Sequence, residues 1–431
     1  MSNKKIDKII SELLDGRYFK YRTGNGLNVL VYEMPEKSSV SAQLSIGFGS
    51  ADTKIYRSGT PDVLPDGTAH FLEHKMFENN GEDIFSLFAD IGASANAYTT
   101  FNRTTFVFRS GNDEYKNALK ILLNTISEPR FSNEGVEKEK SIIADEIRMY
   151  LDDPSWRASF GLFKNLYHNI SINSDIAGSE KSIKKINADI LMDCFNSFYQ
   201  PENMVLAVCG CVQHEEVFLI AENYFCTRNA EMKLSIRSSD EPASIIRKRS
   251  KTDMNVSMPL FCFGYKERCL DKFESMKTEL LMDIVLDLIA GESTDLFKDL
   301  YEMNLINDSF ESGVYSGNEY VCTFFEGETP YPYKVRDQIK NRIQKIKTNG
   351  FRKELFEERA RASVGGYISL FDSPGSVAGS MVSCHFKKAD LYDIIQFVNR
   401  MDISSANDLL RSCFLDESSS ISIVNPINTG A

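Results

Sequence analysis

Thr68-Ala69-His70-Phe71-Leu72-Glu73-His74-Lys75-Met76-Phe77 sets two histidines four residues apart, with a glutamate directly before the second. The stretch reads as helix, and helical geometry brings positions i, i+3 and i+4 to one face, so His70, Glu73 and His74 project together. Two neutral imidazoles on adjacent turns can hold one Zn²⁺, and the carboxylate beside them can take a proton from an attacking water. This is the His-x-x-Glu-His order of the inverted zincins. A lone histidine on a half-apolar helix is more often packed or at the surface. With only 5 histidines among 431 residues, however, this spacing is a poor coincidence.

Outward from this helix, the chain is long enough for two domains of roughly 200 residues each. Apolar content of 42% and charged content of 26% are ordinary for a globular protein. The net charge of −12 argues against non-specific nucleic-acid binding. No apolar run reaches the roughly 18–20 residues that cross a bilayer. Residues 1–10 read as a short amphipathic helix without a signal-peptide core. The 9 cysteines begin at Cys194, lie mostly among apolar neighbours and form no C-x-x-C pair, which suits reduced thiols and a cytoplasmic location.

Before the histidines, Tyr18 to Met34 reads as a hairpin around Gly24-Asn25-Gly26, and Val40 to Phe48 as a strand. A polar loop from Thr53 to Gly67 follows, and Asp66 or Thr68 is placed to cap the helix. After it, Asp83 to Ile91 is a short helix ending at Gly92. Ser94 to Thr100 and Arg103 to Phe108 read as neighbouring strands. The first, Ser94-Ala95-Asn96-Ala97-Tyr98-Thr99, is small and polar: either a weak edge strand or an edge left open for an extended peptide.

A long charged helix is expected from Glu134 to about Leu151. Glu139 and Glu146 share one of its faces. Glu139 alone reads as a solvated charge. Glu146 stands between Ile143 and Ile147, where an unpaired carboxylate would be costly, so a paired or metal-bound role fits it better.

Composition turns polar between Asn229 and Met258, which sets the expected division: domain 1–228, linker 229–258 and domain 259–431. The second half weakly repeats the order of the first. Gly291 to Tyr301 falls at the place matched to His70–His74 and has no histidine, so only the first half would carry a metal.

With those residues in view, the chain resembles the pitrilysin-type M16 peptidases, and most closely the bacterial zinc proteases of similar length in their mitochondrial-processing-peptidase-like branch. The likeness is densest from Gly67 to Pro154. It implies an α+β fold of two similar domains, a LuxS/MPP-like metallohydrolase half-shell that closes with another into a chamber. It implies His70, His74 and Glu146 as zinc ligands, Glu73 as catalytic base, and Glu139 as a carboxylate behind a ligand. The strand with Ala95, Asn96, Ala97 and Tyr98 would pair with substrate. In the family an Arg and a Tyr from the C-terminal half help hold the scissile carbonyl, but here Tyr301 and Asp308 stand at those places. The resemblance therefore implies a heterodimer with a related zinc-free subunit that supplies the missing pair. Two rivals accompany this expectation: a non-catalytic peptide-binding or assembly subunit on the same fold, and a purely structural zinc.

Overall fold

The computed structural model describes residues 6–11, 16–57, 60–79, 82–225, 241–267, 276–317 and 320–427. Contacts divide the chain into two units, Met1–Asp145 with Asp175–Ile236 and Ile368–Tyr392, and Glu146–Ser174 with Arg237–Tyr367 and Asp393–Ala431. The succession expected from the sequence, with one break at 229–258, differs from this division. The helix Pro154–Leu166 counts with the second unit and the helix Pro374–Phe386 with the first. Of the expected linker, residues 229–240 lie outside the described residues, and Arg249–Met254 is a strand.

The first unit is built on a seven-stranded sheet in the order Asp7–Ser11, Gly16–Arg22, Asn28–Glu33, Met204–Gly210, Ser39–Ile46, Thr104–Gly111, Ser94–Thr99. Its central strand Met204–Gly210 is apolar on both faces because both faces are covered. On one, Val205, Ala207 and Cys209 pack against Val377, Ala378, Met381 and Val382 of the helix Pro374–Phe386. The other face takes the helix Thr68–Phe77, whose Phe77 ring lies 5.4 Å from that of Phe106.

The expected hairpin is present, with Tyr18 opposite Tyr32. The N-terminal expectation fails over its described part: Asp7–Ser11 is a strand paired with Gly16–Arg22, while residues 1–5 lie outside the described residues. An open sheet edge offers this segment backbone partners, which outweighs its weak helical pattern. The polar stretch before the histidine helix also folds partly as a small hairpin, Lys54–Arg57 with Thr60–Val63.

The second unit carries a five-stranded sheet in the order Arg249–Met254, Ser419–Pro426, Leu260–Lys266, Val321–Glu328, Glu311–Ser316. Each sheet contains one parallel pair followed by the same run of antiparallel pairs. The repeat suspected from element order is thus written in strand direction and neighbour order. It also corrects one correspondence. After the matched strands Ser39–Ile46 and Leu260–Lys266, the first helices are Thr68–Phe77 and Met276–Ala290. The counterpart of the histidine helix is therefore Met276–Ala290, not Gly291–Tyr301. It has no histidine, and its Asp287 Oδ2 lies 3.6 Å from an Arg359 guanidinium nitrogen.

Among the described residues no helix is long and apolar enough to cross a membrane. The described cysteines are all free.

Candidate metal centre

The histidine helix begins at Gly67, whose backbone is left-handed (φ 88°). No side chain caps it. The Thr68 hydroxyl donates back to Pro65 O at 2.6 Å, so neither Asp66 nor Thr68 plays the expected capping role. Glycine is required here: a Cβ on Gly67 would sit 2.4 Å from Ala177 O. Nearly the whole helix is buried, His70 and Glu73 included, each 7% exposed, and His74 is half-buried.

The His70 and His74 rings lie 4.5 Å apart between centroids. The long helix Asn133–Asp152 runs past them. The contact division falls inside this helix, so Glu146 is counted just beyond it. His70, His74 and Glu146 each offer one ligand atom, and the three atoms all lie within 4.8 Å of one another. The structure thus brings together the three side chains that spacing singled out. Two imidazoles and one carboxylate form a donor set suited to Zn²⁺, and three protein ligands leave a position for a fourth.

Glu139 is 5% exposed, not the solvated charge its sequence context suggested. Its Oε1 lies 2.9 Å from His74 Nδ1. Burial pushes this carboxyl up, but the hydrogen bond from His74 and the nearby charge of Lys75 act against it, and the group is held below the usual carboxylate range. A carboxylate at Nδ1 fixes the tautomer and gives Nε2 the lone pair a metal would use. At the third position, the Tyr150 hydroxyl donates to Glu146 Oε1 at 3.0 Å. The Tyr150 ring stacks on Trp156 at 4.8 Å, which steadies that donor. Sequence reading missed Tyr150, although its place one turn after Glu146 was a usable signal.

Glu73 sits on the same helix face and accepts from the Thr99 hydroxyl at 2.5 Å. Tyr199 is buried nearby. Burial, reinforced by the Glu73 charge, pushes its phenol far up, so it stays protonated.

Ser94–Thr99 is the outermost strand of its sheet, paired antiparallel with Thr104–Gly111 on one side only. Ala95, Ala97 and Thr99 are half-buried, and Ser94, Asn96 and Tyr98 are exposed. Asn96 Oδ1 accepts from the Ala97 N–H at 2.9 Å. Tyr301 and Asp308 are hydrogen-bonded to each other, and this bond with the Asp308 charge pushes the exposed Tyr301 phenol up.

A second group, Glu33, His214 and Glu215, also offers three clustered ligand atoms. There His214 Nδ1 is 2.7 Å from Glu33 and Nε2 is 3.1 Å from Glu215, so both ring nitrogens already face carboxylates. That arrangement suits an ion pair better than a metal.

Comparison with known proteins agrees with this architecture. The family described as Insulinase (Peptidase family M16) matches residues 28–180, and the Peptidase M16 inactive domain matches residues 185–363. The uncharacterized zinc protease YmfH of Bacillus subtilis is 31% identical over 94% of this chain and 96% of its own length. The mitochondrial-processing peptidase subunit beta of Saccharomyces cerevisiae is 26% identical over 63% of this chain and 54% of its own. A crystal structure described as an M16-like peptidase from Alicyclobacillus acidocaldarius superposes with a TM-score of 0.89 at 27% identity, covering 98% of this chain and 99% of that one. On family match, relatives and fold together, this chain belongs to peptidase family M16.

Proposed function

We propose that the protein is a zinc-dependent endopeptidase that cleaves extended or unfolded peptides. The observation that carries this reading is the convergence of His70, His74 and Glu146 beside Glu73. In it, His70, His74 and Glu146 hold Zn²⁺, with Glu139 orienting His74 and Tyr150 orienting Glu146. The ion, when bound, would polarise the scissile carbonyl and acidify water.

Glu73 takes the proton of the attacking water and passes it to the nitrogen of the leaving amine. Glu73 is buried, and the Thr99 hydroxyl donates to its carboxylate. The peptide adds as a strand along Ala95, Asn96, Ala97 and Tyr98, where backbone pairing admits extended chains and excludes folded ones.

The partner in this reading is a related zinc-free subunit that closes a chamber and supplies the Arg and Tyr that Tyr301 and Asp308 replace. Tyr301 bonded to Asp308 offers no cation for a developing oxyanion, which supports the need for help. Relatives named zinc proteases and a processing-peptidase subunit support the same reading.

The test is to assay the chain alone and with a candidate M16 partner on a peptide library, with and without chelator. Chelator-sensitive turnover that rises with the partner is expected. Bound zinc without turnover in any combination would leave an assembly subunit instead.

A further inference from the structure

On the outermost strand, the face turned toward the histidine helix carries Ala95, Ala97 and Thr99. Two alanines are followed by one hydroxyl, and that hydroxyl donates to Glu73 Oε2. Thr99 is paired through its backbone with Thr104. The Thr104 hydroxyl spends its single proton on Phe48 O at 2.9 Å. Although Thr99 and Thr104 hydroxyl oxygens lie 3.4 Å apart, the Thr99 proton is thus directed to Glu73.

We infer that Thr99 is a positioning residue for the Glu73 carboxylate, tying the proton acceptor to the strand on which substrate pairs. This inference rests on the reading given above. A carboxylate carried by two flexible methylenes can rotate about its last bond, and a hydroxyl donor on one oxygen fixes its plane. Because that donor is anchored in the substrate's own strand, the register of the peptide and the aim of the base are set by one element. Positioning of this kind matters, since a displacement of about 1 Å can cost on the order of 100-fold in rate. A donor to a buried carboxylate is also among the stronger hydrogen bonds. A valine at 99 would keep the shape and the β-branch but lose the proton.

The test compares Thr99→Val and Thr99→Ser in the full-length, zinc-loaded protein, assembled with its M16 partner subunit, under steady-state conditions with a fluorogenic extended peptide. Zinc content and peptide affinity in a Glu73→Gln background are measured in parallel. Thr99→Val should lower kcat about 10-fold with KM within about twofold, and Thr99→Ser should restore most of the loss. Zinc content and peptide affinity should not move.

A Thr99→Val rate equal to wild type would overturn the positioning role, as would a raised KM at unchanged kcat, which would make Thr99 a peptide contact. Failure of Thr99→Ser to recover would overturn it too. Should Glu73→Gln turn over at the wild-type rate, the general-base reading falls and takes this inference with it; should no form turn over even with the partner, the endopeptidase reading falls, and this inference with it. An inactive Glu73→Gln beside a fully active Thr99→Val removes the positioning role alone.

Discussion

His74 Nδ1 and Glu139 Oε1 meet at 2.9 Å, joining the histidine helix to the long helix that also carries Glu146. The pair does two things with one bond: it selects which imidazole nitrogen can face a metal, and it lends that imidazole negative charge. Glu139→Gln should therefore weaken zinc binding by about 10–100-fold while the fold persists. Competition against a graded chelator, with circular dichroism as control, measures it. Unchanged zinc affinity would reduce Glu139 to a structural ion pair.

Ligand and base roles separate in a second comparison. Glu73 is not among the three clustered ligand atoms. Glu73→Gln should retain zinc and lose activity by on the order of 100- to 10,000-fold, since proton transfer by a placed group contributes about that much. His74→Ala should lose the metal itself. Elemental analysis of both variants, set against their turnover, decides the assignment, and zinc retained in His74→Ala would refute it.

The start of the helix is equally exposed to a test. Gly67 at φ 88° lies against Ala177, and Gly178 at φ 79° lies against Asp66, so two loops touch backbone to backbone. Gly67→Ala adds a Cβ at 2.4 Å from Ala177 O in a conformation that alanine disfavours. A loss of about 1–3 kcal/mol in urea unfolding is expected, with weaker zinc binding because the first turn carries His70. Wild-type stability would show that the loops can part.

The histidine helix, the long helix and the edge strand were legible because each rests on a local rule: spacing on one face, a run of helix formers, and a run of small and polar residues with little bulk to pack. Glu146 could be picked out by its isoleucine neighbours, both buried. Glu139 could not, since its burial comes from a partner 65 residues away in sequence. The same holds for Thr99, whose hydroxyl looks like any strand threonine until Glu73 is placed beside it. The strand Asp7–Ser11 was misread because its partner, not its own pattern, decides its state. Exchange of the helices Pro154–Leu166 and Pro374–Phe386 between units leaves no mark on composition.

The edge strand gives a fourth prediction. The Ala97 N–H donates to Asn96 Oδ1, so a proline at 97 gives up a bond to a side chain of its own strand. Ala97→Pro should leave the fold and zinc content intact but raise KM at least about 10-fold for extended peptides, because an added strand meets a proline ring where it would pair. Peptide binding by anisotropy checks it. Unchanged binding would move the substrate away from this edge.

A fifth prediction concerns pH and the second unit. Glu267 is 4% exposed and accepts from the Thr323 hydroxyl at 2.8 Å and from Phe414 N at 3.0 Å. Burial raises its carboxyl from 4.5 to about 7, with those hydrogen bonds and Lys347 pulling only partly back. The folded state thus holds the proton more tightly than the unfolded chain does. Its stabilising contribution is complete below about pH 4.5 and is lost as pH rises toward about 7. A shift of this size corresponds to about 3 kcal/mol over the whole window. Glu267→Gln stays neutral throughout and escapes the loss. Measured at each pH against wild type, the variant should gain stability between pH 4.5 and 7 and hold that gain above it. Thermal unfolding of metal-free protein across this range reads the difference directly, because other titrating groups are common to both. A gap that does not change with pH would mean that Glu267 stays ionised in the folded protein, its hydrogen bonds outweighing its burial.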